Sequence, residues 1–271
     1  MSSINPDVKN YLKKIEKKYT IKSKKLHYYF FLRKIFFYLL GFFNCLILKK
    51  RDEVPDHEAV ILGRGASVIK YYKSKKSIRQ IKHIFVVNFR KDDIPPNYLK
   101  TFNSKIVHLF ISVAEVIPPM KYLLNLQIGK VLFSRCDMMK KTQYGKRKSF
   151  KANIMLNRLE YMPDEMINYW WLQNSGLFAI CYMAKVWKLK KIYLFGFNFY
   201  SGNYLNGSIE NELKKANKKN YSRKEFLDLI AASEKLKKNF IRLVKDCRDT
   251  VFYFHGSNSF ETNLKNLIFK N

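Results

Sequence analysis

Three stretches of the chain place small or hydroxyl-bearing residues directly behind apolar runs. Gly63-Arg64-Gly65-Ala66-Ser67 follows Ala59 to Leu62, and Gly196-Phe197-Asn198-Phe199-Tyr200, with Tyr204 beyond, follows Lys191 to Phe195. His255-Gly256 closes the run Val251 to Phe254. Small residues between a strand and a helix let the backbone approach a phosphate or a ribose, and the next helix offers unbonded amides. Arg64 has the fork geometry that pairs with a phosphate. The hydroxyls of Tyr200 and Tyr204 could stabilise a leaving phosphate without a metal. The first loop lacks the third glycine of a dinucleotide fingerprint, and Asn88, not an acidic residue, ends the second apolar run, which argues against NAD. A tight turn with no ligand is the plain alternative for the glycines. Among 18 Tyr, any single one has a structural role as its default.

Asn174-Ser175-Gly176 opens an apolar helix, Leu177 to Trp187, that leads straight into the run Lys191 to Phe195. Ser175 is the expected N-cap, with the amides behind it facing the strand ends and open to an anion. A proton acceptor is sought among five histidines: His27, His57, His83, His108 and His255. His255 ends the last strand and ranks first as a catalytic residue, and His108, inside the third strand, ranks second. For both, a purely structural histidine is the competing reading. Glu160, Asp164, Glu165, Glu210 and Glu212 flank the basic loops and are further candidates that nothing singles out.

The elements that must hold these residues follow from hydrophobic pattern. Ala59–Leu62, Ile84–Val87, Ile106–Ile111, Val131–Phe133, Ile192–Phe195 and Val251–Phe254 are short apolar runs. Between them, Gly176 to Trp187 and Arg223 to Lys245 carry helical spacing, the latter with Phe226, Leu229, Ile230, Leu236, Phe240 and Leu243 on one side. Short buried strands alternating with helices predict an α/β fold, a mainly parallel sheet with helices on both faces. In such sheets ligands bind beyond the C-terminal ends of the strands. The residues just after each run are therefore the informative ones.

The chain has 271 residues, with 52 Lys and Arg against 21 Asp and Glu, a net charge of +31. That excess calls for a polyanionic neighbour: nucleic acid, an anionic membrane or an anionic substrate. Four widely spaced cysteines with no CxxC pair argue against a zinc ribbon and a disulfide scaffold, and suit a reducing compartment. Residues 1–54 read as a separate piece: a basic run over 9–25, then an apolar stretch from Tyr28 to Leu48 broken by Arg33 and Lys34. Its uninterrupted part, Ile35 to Leu48, is 14 residues long, short of the ~20 that a spanning helix needs. The expectation is a helix lying in the membrane interface, with residues 9–51 drawn to anionic lipid at the cytoplasmic face of the inner membrane. Packing on the protein's own core, or a true span, are the alternatives. Residues 55–271 form the expected α/β domain.

Taken together, Ala59-Val-Ile-Leu-Gly-Arg-Gly-Ala-Ser67, Val86-Val-Asn88, Asn174-Ser-Gly176 and Lys191-Ile-Tyr-Leu-Phe-Gly-Phe-Asn-Phe-Tyr200 resemble the bacterial sialyltransferases of glycosyltransferase family 42. Tyr253-Phe-His-Gly-Ser-Asn-Ser259 is similar to their last strand and loop. The resemblance spans about residues 58–265 and is weak over 90–165. It implies a single Rossmann-like, GT-A-like variant and an inverting transfer of sialic acid, or a related acidic sugar, from a CMP-activated donor to a sugar hydroxyl of a cell-surface glycan. It implies no metal and no other cofactor. By the same likeness Gly63, Gly65 and Ser67 line the nucleotide, Asn88 binds it or its phosphate, Ser175 and Gly176 hold the cytidine side, and Tyr200 and Tyr204 stabilise the departing phosphate. Two positions depart from the family: Arg64 stands where it has Asn, and Tyr221 stands where it has the catalytic His. A tyrosine, with an ordinary pKa of about 10, is a poor base near neutral pH, which is why His255 and His108 are considered.

Two other classes compete. One is a relative that binds nucleotide without turnover. The other is a basic nucleic-acid-binding protein, disfavoured because the charge is spread over loops and the N-terminal piece and no helix-turn-helix, zinc or RNA-recognition signature is present.

Overall fold

A computed structural model describes residues 39, 53–88, 100–111, 126–133, 166, 168–169, 172, 174–199, 223–256 and 263–270; residues 100, 133 and 223–232 are described by their backbone alone. The stretch 1–52, residue 39 apart, lies outside them, so the membrane-interface expectation falls outside as well. Among the described residues no helix is long and apolar enough to cross a membrane.

Seven strands build one sheet: β1 (Glu58–Leu62), β2 (His83–Val87), β3 (Ile106–Ile111), β4 (Gln127–Phe133), β5 (Lys191–Phe195), β6 (Val251–His255) and β7 (Leu267–Phe269). Their order is β4-β3-β2-β1-β5-β6-β7, and every adjacent pair is parallel. β2 and β3 are buried along their whole length, as a parallel sheet covered on both faces requires. On one face Ala59, Ile61, Phe85, Phe110, Leu194 and Phe254 meet α3 (Ser175–Lys185) and α4 (Arg223–Asp246). On the other, Val60, Leu62, Ile84, Val86, Leu109 and Phe195 meet the turn Ala66–Val68 and α1 (Ile69–Tyr72), with the short α2 (Lys76–Gln80) beside it. The expected α/β sheet with helices on both faces is thus found.

α3 is buried from Gly176 through Ala184. A helix apolar all round can only sit inside, and this one packs on β2, β3 and β5, while Phe240 of α4 packs on Phe252 and Phe254 of β6. Along α4, Leu236, Phe240, Leu243 and Val244 are buried at the spacing of one helix face.

The structure differs from the pattern-based reading in four places. β4 begins at Gln127, four residues ahead of the apolar run, because β3 pairs with it across a bulge. α3 ends at Lys185, since Lys188 turns the chain with φ 52° before β5. β7, a three-residue edge strand, has too short a pattern to signal itself. His108 is held within the sheet and is not at its ligand-binding edge. Its ring stacks on Phe85 at 4.5 Å, with Trp187 edge-on at 5.2 Å. Gly129 in the β4 bulge leaves room for it: a Cβ there would lie 2.5 Å from the imidazole. The Lys130 amide donates to His108 Nδ1 at 2.9 Å, so the ring proton sits on Nε2, which faces His83 Nδ1 at 3.0 Å.

This relay works only with both rings neutral. Burial, aided by His83 and Lys130, holds His108 well below the usual histidine range. Burial, aided by Lys82 and opposed by Glu53 and Asp56, lowers His83. An unfolded histidine takes a proton near pH ~6.5, so below that pH the unfolded chain binds more protons than the folded one. Stability from the pair is complete above that value and is lost as pH falls toward the folded-state values. The melting temperature at fixed ionic strength is therefore expected to drop between about pH 7.5 and about pH 5; a flat profile would contradict the neutral relay.

Candidate functional site

The strand order reverses direction between β1 and β5, and that is where an open parallel sheet receives a ligand. Two loops leave the sheet there side by side. Gly63 N–H donates to Phe195 O at 2.7 Å and Gly65 N–H to Gly196 O at 2.9 Å, continuing the β1–β5 pairing past the strand ends. Gly196 has φ 77°, and a Cβ on it would lie 2.5 Å from Gly63 O. Neither Gly63 nor Gly196 can carry a side chain without parting the loops.

Ser67 completes this lock. Its hydroxyl donates to Asn198 Oδ1 at 2.9 Å and accepts from Gly196 N–H at 3.1 Å, and the residue is 5% exposed. The structure thus gives Ser67 a loop-joining task, where the family likeness makes it line a nucleotide. Arg64 stands half-buried between the two glycines.

The third member of the site arrives on α3. Its N-cap is Asn174 and not Ser175. Asn174 Oδ1 accepts from Gly176 N–H at 2.8 Å and from Leu177 N–H at 3.2 Å. Two of the amides expected to await an anion are therefore already engaged, because Asn174 takes the extended backbone that a cap needs, with φ −140° and ψ 131°. Gly176 packs under Phe197, where a Cβ would lie 2.8 Å from the ring. The segments around residues 63, 175 and 196 are thus in contact although far apart in sequence.

The remaining predicted residues occupy neighbouring strand ends. Asn88 follows β2 with φ 53°, a conformation Asn tolerates better than most residues, and its amide donates to Phe110 O at 2.8 Å. His255 ends β6, in register with Phe195, and is 8% exposed. Burial first, then Lys70 and Lys270, lower its pKa to about 4, so the ring is neutral at physiological pH. Gly63, Asn88 and His255 thus share the C-terminal edge of the sheet, whereas His108 does not. Tyr200, Tyr204, Tyr221 and the five candidate carboxylates lie outside the described residues. Phe199, the last described residue before them, has φ 47° and is held by stacking on Phe254 at 5.8 Å, with Phe240 at 5.5 Å.

Pattern reading missed Asn174, Asn198, Lys70 and Lys270. Asn174 had a signal, since Asn caps helices as readily as Ser. Asn198 and Lys270 owe their places to pairing across strands, which a single sequence does not display. Among the described residues no group of three His, Cys, Asp or Glu could hold a metal ion. Cys181 and Cys247 are buried free thiols. Compared with family models, curated proteins and solved structures, the chain matches none.

Two substitutions test this geometry. Asn174→Ala is expected to cost about 1 kcal/mol in a urea melt, and Ser175→Ala less than about 0.5 kcal/mol; the reverse order would restore Ser175 as the cap. Gly196→Ala is expected to cost at least about 2 kcal/mol, through both the positive φ and the contact with Gly63. A melt unchanged by that substitution would mean the two loops are not locked.

Proposed function

We propose that the protein is a glycosyltransferase that moves sialic acid, or a related acidic sugar, from a CMP-activated donor to a glycan hydroxyl, with inversion and without a metal. One observation carries the reading. The segments that resemble family 42 sialyltransferases, 59–67, 174–176 and 191–199, lie far apart in the chain, yet they meet through the Gly63–Gly196, Ser67–Asn198 and Gly176–Phe197 contacts at the strand-order reversal. In this reading the sheet is the GT-A-like variant of the Rossmann arrangement.

The chemistry divides among the chain's residues as follows. An acceptor hydroxyl attacks the anomeric carbon from the side opposite the phosphate. The carbon–oxygen bond to the phosphate breaks, and CMP departs. The hydroxyls of Tyr200 and Tyr204 donate hydrogen bonds to the departing phosphate, and Arg64 adds positive charge beside it. Asn88 binds the nucleotide, and Ser175 and Gly176 border its cytidine side. The acceptor proton passes to His255, whose ring is neutral and so able to receive it. A pKa of about 4 makes that ring a weak acceptor at pH ~7, so its base role needs a change in the charge around it. Residues 9–51 hold the enzyme to anionic lipid on the cytoplasmic face of the inner membrane, where lipid-linked glycan acceptors are available.

The test follows CMP release from CMP-sialic acid by the full chain in EDTA, with a galactose-terminated acceptor. Release is expected in wild type, about a hundredfold slower in Tyr200→Phe and about a hundredfold slower in His255→Ala. Stabilisation by CMP without release would identify a binding protein and not an enzyme. Neither release nor stabilisation would overturn the reading and bring nucleic acid forward as the polyanionic partner.

A further inference from the structure

At the end of β6 the His255 ring lies face to face with Phe195, centroids 4.2 Å apart and planes 14° from parallel. The residue is 8% exposed, and its Nε2 has no hydrogen-bond partner among the described residues. A buried polar nitrogen left unpaired is costly, and such an atom calls for a partner.

Two cations on separate elements stand near enough for their charge to act on that ring. Lys70, on α1, reaches over the strand end and donates Nζ to Gly256 O at 2.9 Å, which engages one of its three N–H groups. Lys270 follows β7. The pairing of Phe254 with Phe269, and the bond from the Lys270 amide to Phe254 O at 2.9 Å, set it beside His255. Among the described residues its ammonium is unbonded, and the charged groups that act on the imidazole are these two lysines, with no acid to offset them.

We propose that Lys70, His255 and Lys270 form a binding site for an oxyanion, a phosphate or carboxylate group of a ligand. The Nε2–H of His255 and the two ammonium groups are its donors, and Phe195 is the wall that fixes the ring. A bound anion offsets the lysines and raises the proton affinity of His255, which supplies the change its base role requires. The anion is either the phosphate of the nucleotide donor or an acidic group on the acceptor. The site itself needs no sugar donor, so its test stands apart from CMP release.

The test titrates inorganic phosphate into the full chain with ¹⁵N-labelled histidine at about pH 7.5, where a histidine free of perturbation is neutral. The His255 signals are identified by their absence in His255→Gln. A saturable shift of those signals is expected. Affinity should fall about tenfold in Lys70→Met, which removes a charged hydrogen bond, and about fivefold in Lys270→Met, whose side chain is more exposed. Lys270→Met removes no bond seen among the described residues, so it keeps the test valid if Lys70→Met unfolds. CMP that abolishes the phosphate response makes the anion the donor's; a phosphate response that persists in saturating CMP makes it a second ligand's. Either outcome supports the site. Unmoved His255 signals, or unchanged affinity in Lys270→Met, would overturn it.

Discussion

The approach of the Gly63 loop to the Gly196 loop is the contact on which the rest of the site depends. A parallel sheet has no hairpin to fix its strand ends, so neighbouring loops must be tied by other means. Here β1 and β5 continue to pair beyond their last residues, through Gly63 N–H to Phe195 O and Gly65 N–H to Gly196 O. Two residues without Cβ atoms make that spacing reachable, and the Ser67–Asn198 bond closes it. With the loops fixed, Phe197 seats against Gly176 and locates the start of α3. Phe199 is then turned into the layer of Phe240 and Phe254.

The same sheet treats its buried histidines in two ways. His108 has both ring nitrogens engaged inside the fold, one by the Lys130 amide and one by His83. His255 is as buried as His83 but ends a strand, and its Nε2 lacks a partner among the described residues. The contrast is between a histidine whose two ring nitrogens are engaged and one with a nitrogen left over. It rests on hydrogen bonding and not on burial. Burial first, then the two lysines, keeps the His255 ring neutral, and an anion at that end would offset the lysines.

Much of this was legible in the sequence. Short apolar runs separated by helical spacing led to the sheet, and the residues behind the runs led to its C-terminal edge. The glycines were read as room for a ligand's backbone approach, whereas Gly63 and Gly196 make room for each other. Choosing between those meanings requires knowing that β1 and β5 are neighbours, and strand order does not show in local pattern. Ser175 and Asn174 are both good caps, and only the backbone of Asn174 decided between them. His108 was a candidate as one of five histidines searched for a proton acceptor; its partner His83 is 25 residues away, and the register of β2 on β3 brings the two together. Lys70 and Lys270 had no signal in a chain with 52 basic residues, where any one lysine looks like the next.

The central claim is that a nucleotide binds where β1 and β5 diverge, and hydrogen–deuterium exchange of the full chain with and without CMP addresses it most directly. Slower exchange is expected in the loops after β1 and β5 and at the start of α3, with the N-terminal ends of the same strands unchanged. Protection confined to other parts of the chain, or none at a CMP concentration that raises the melting temperature, would contradict it.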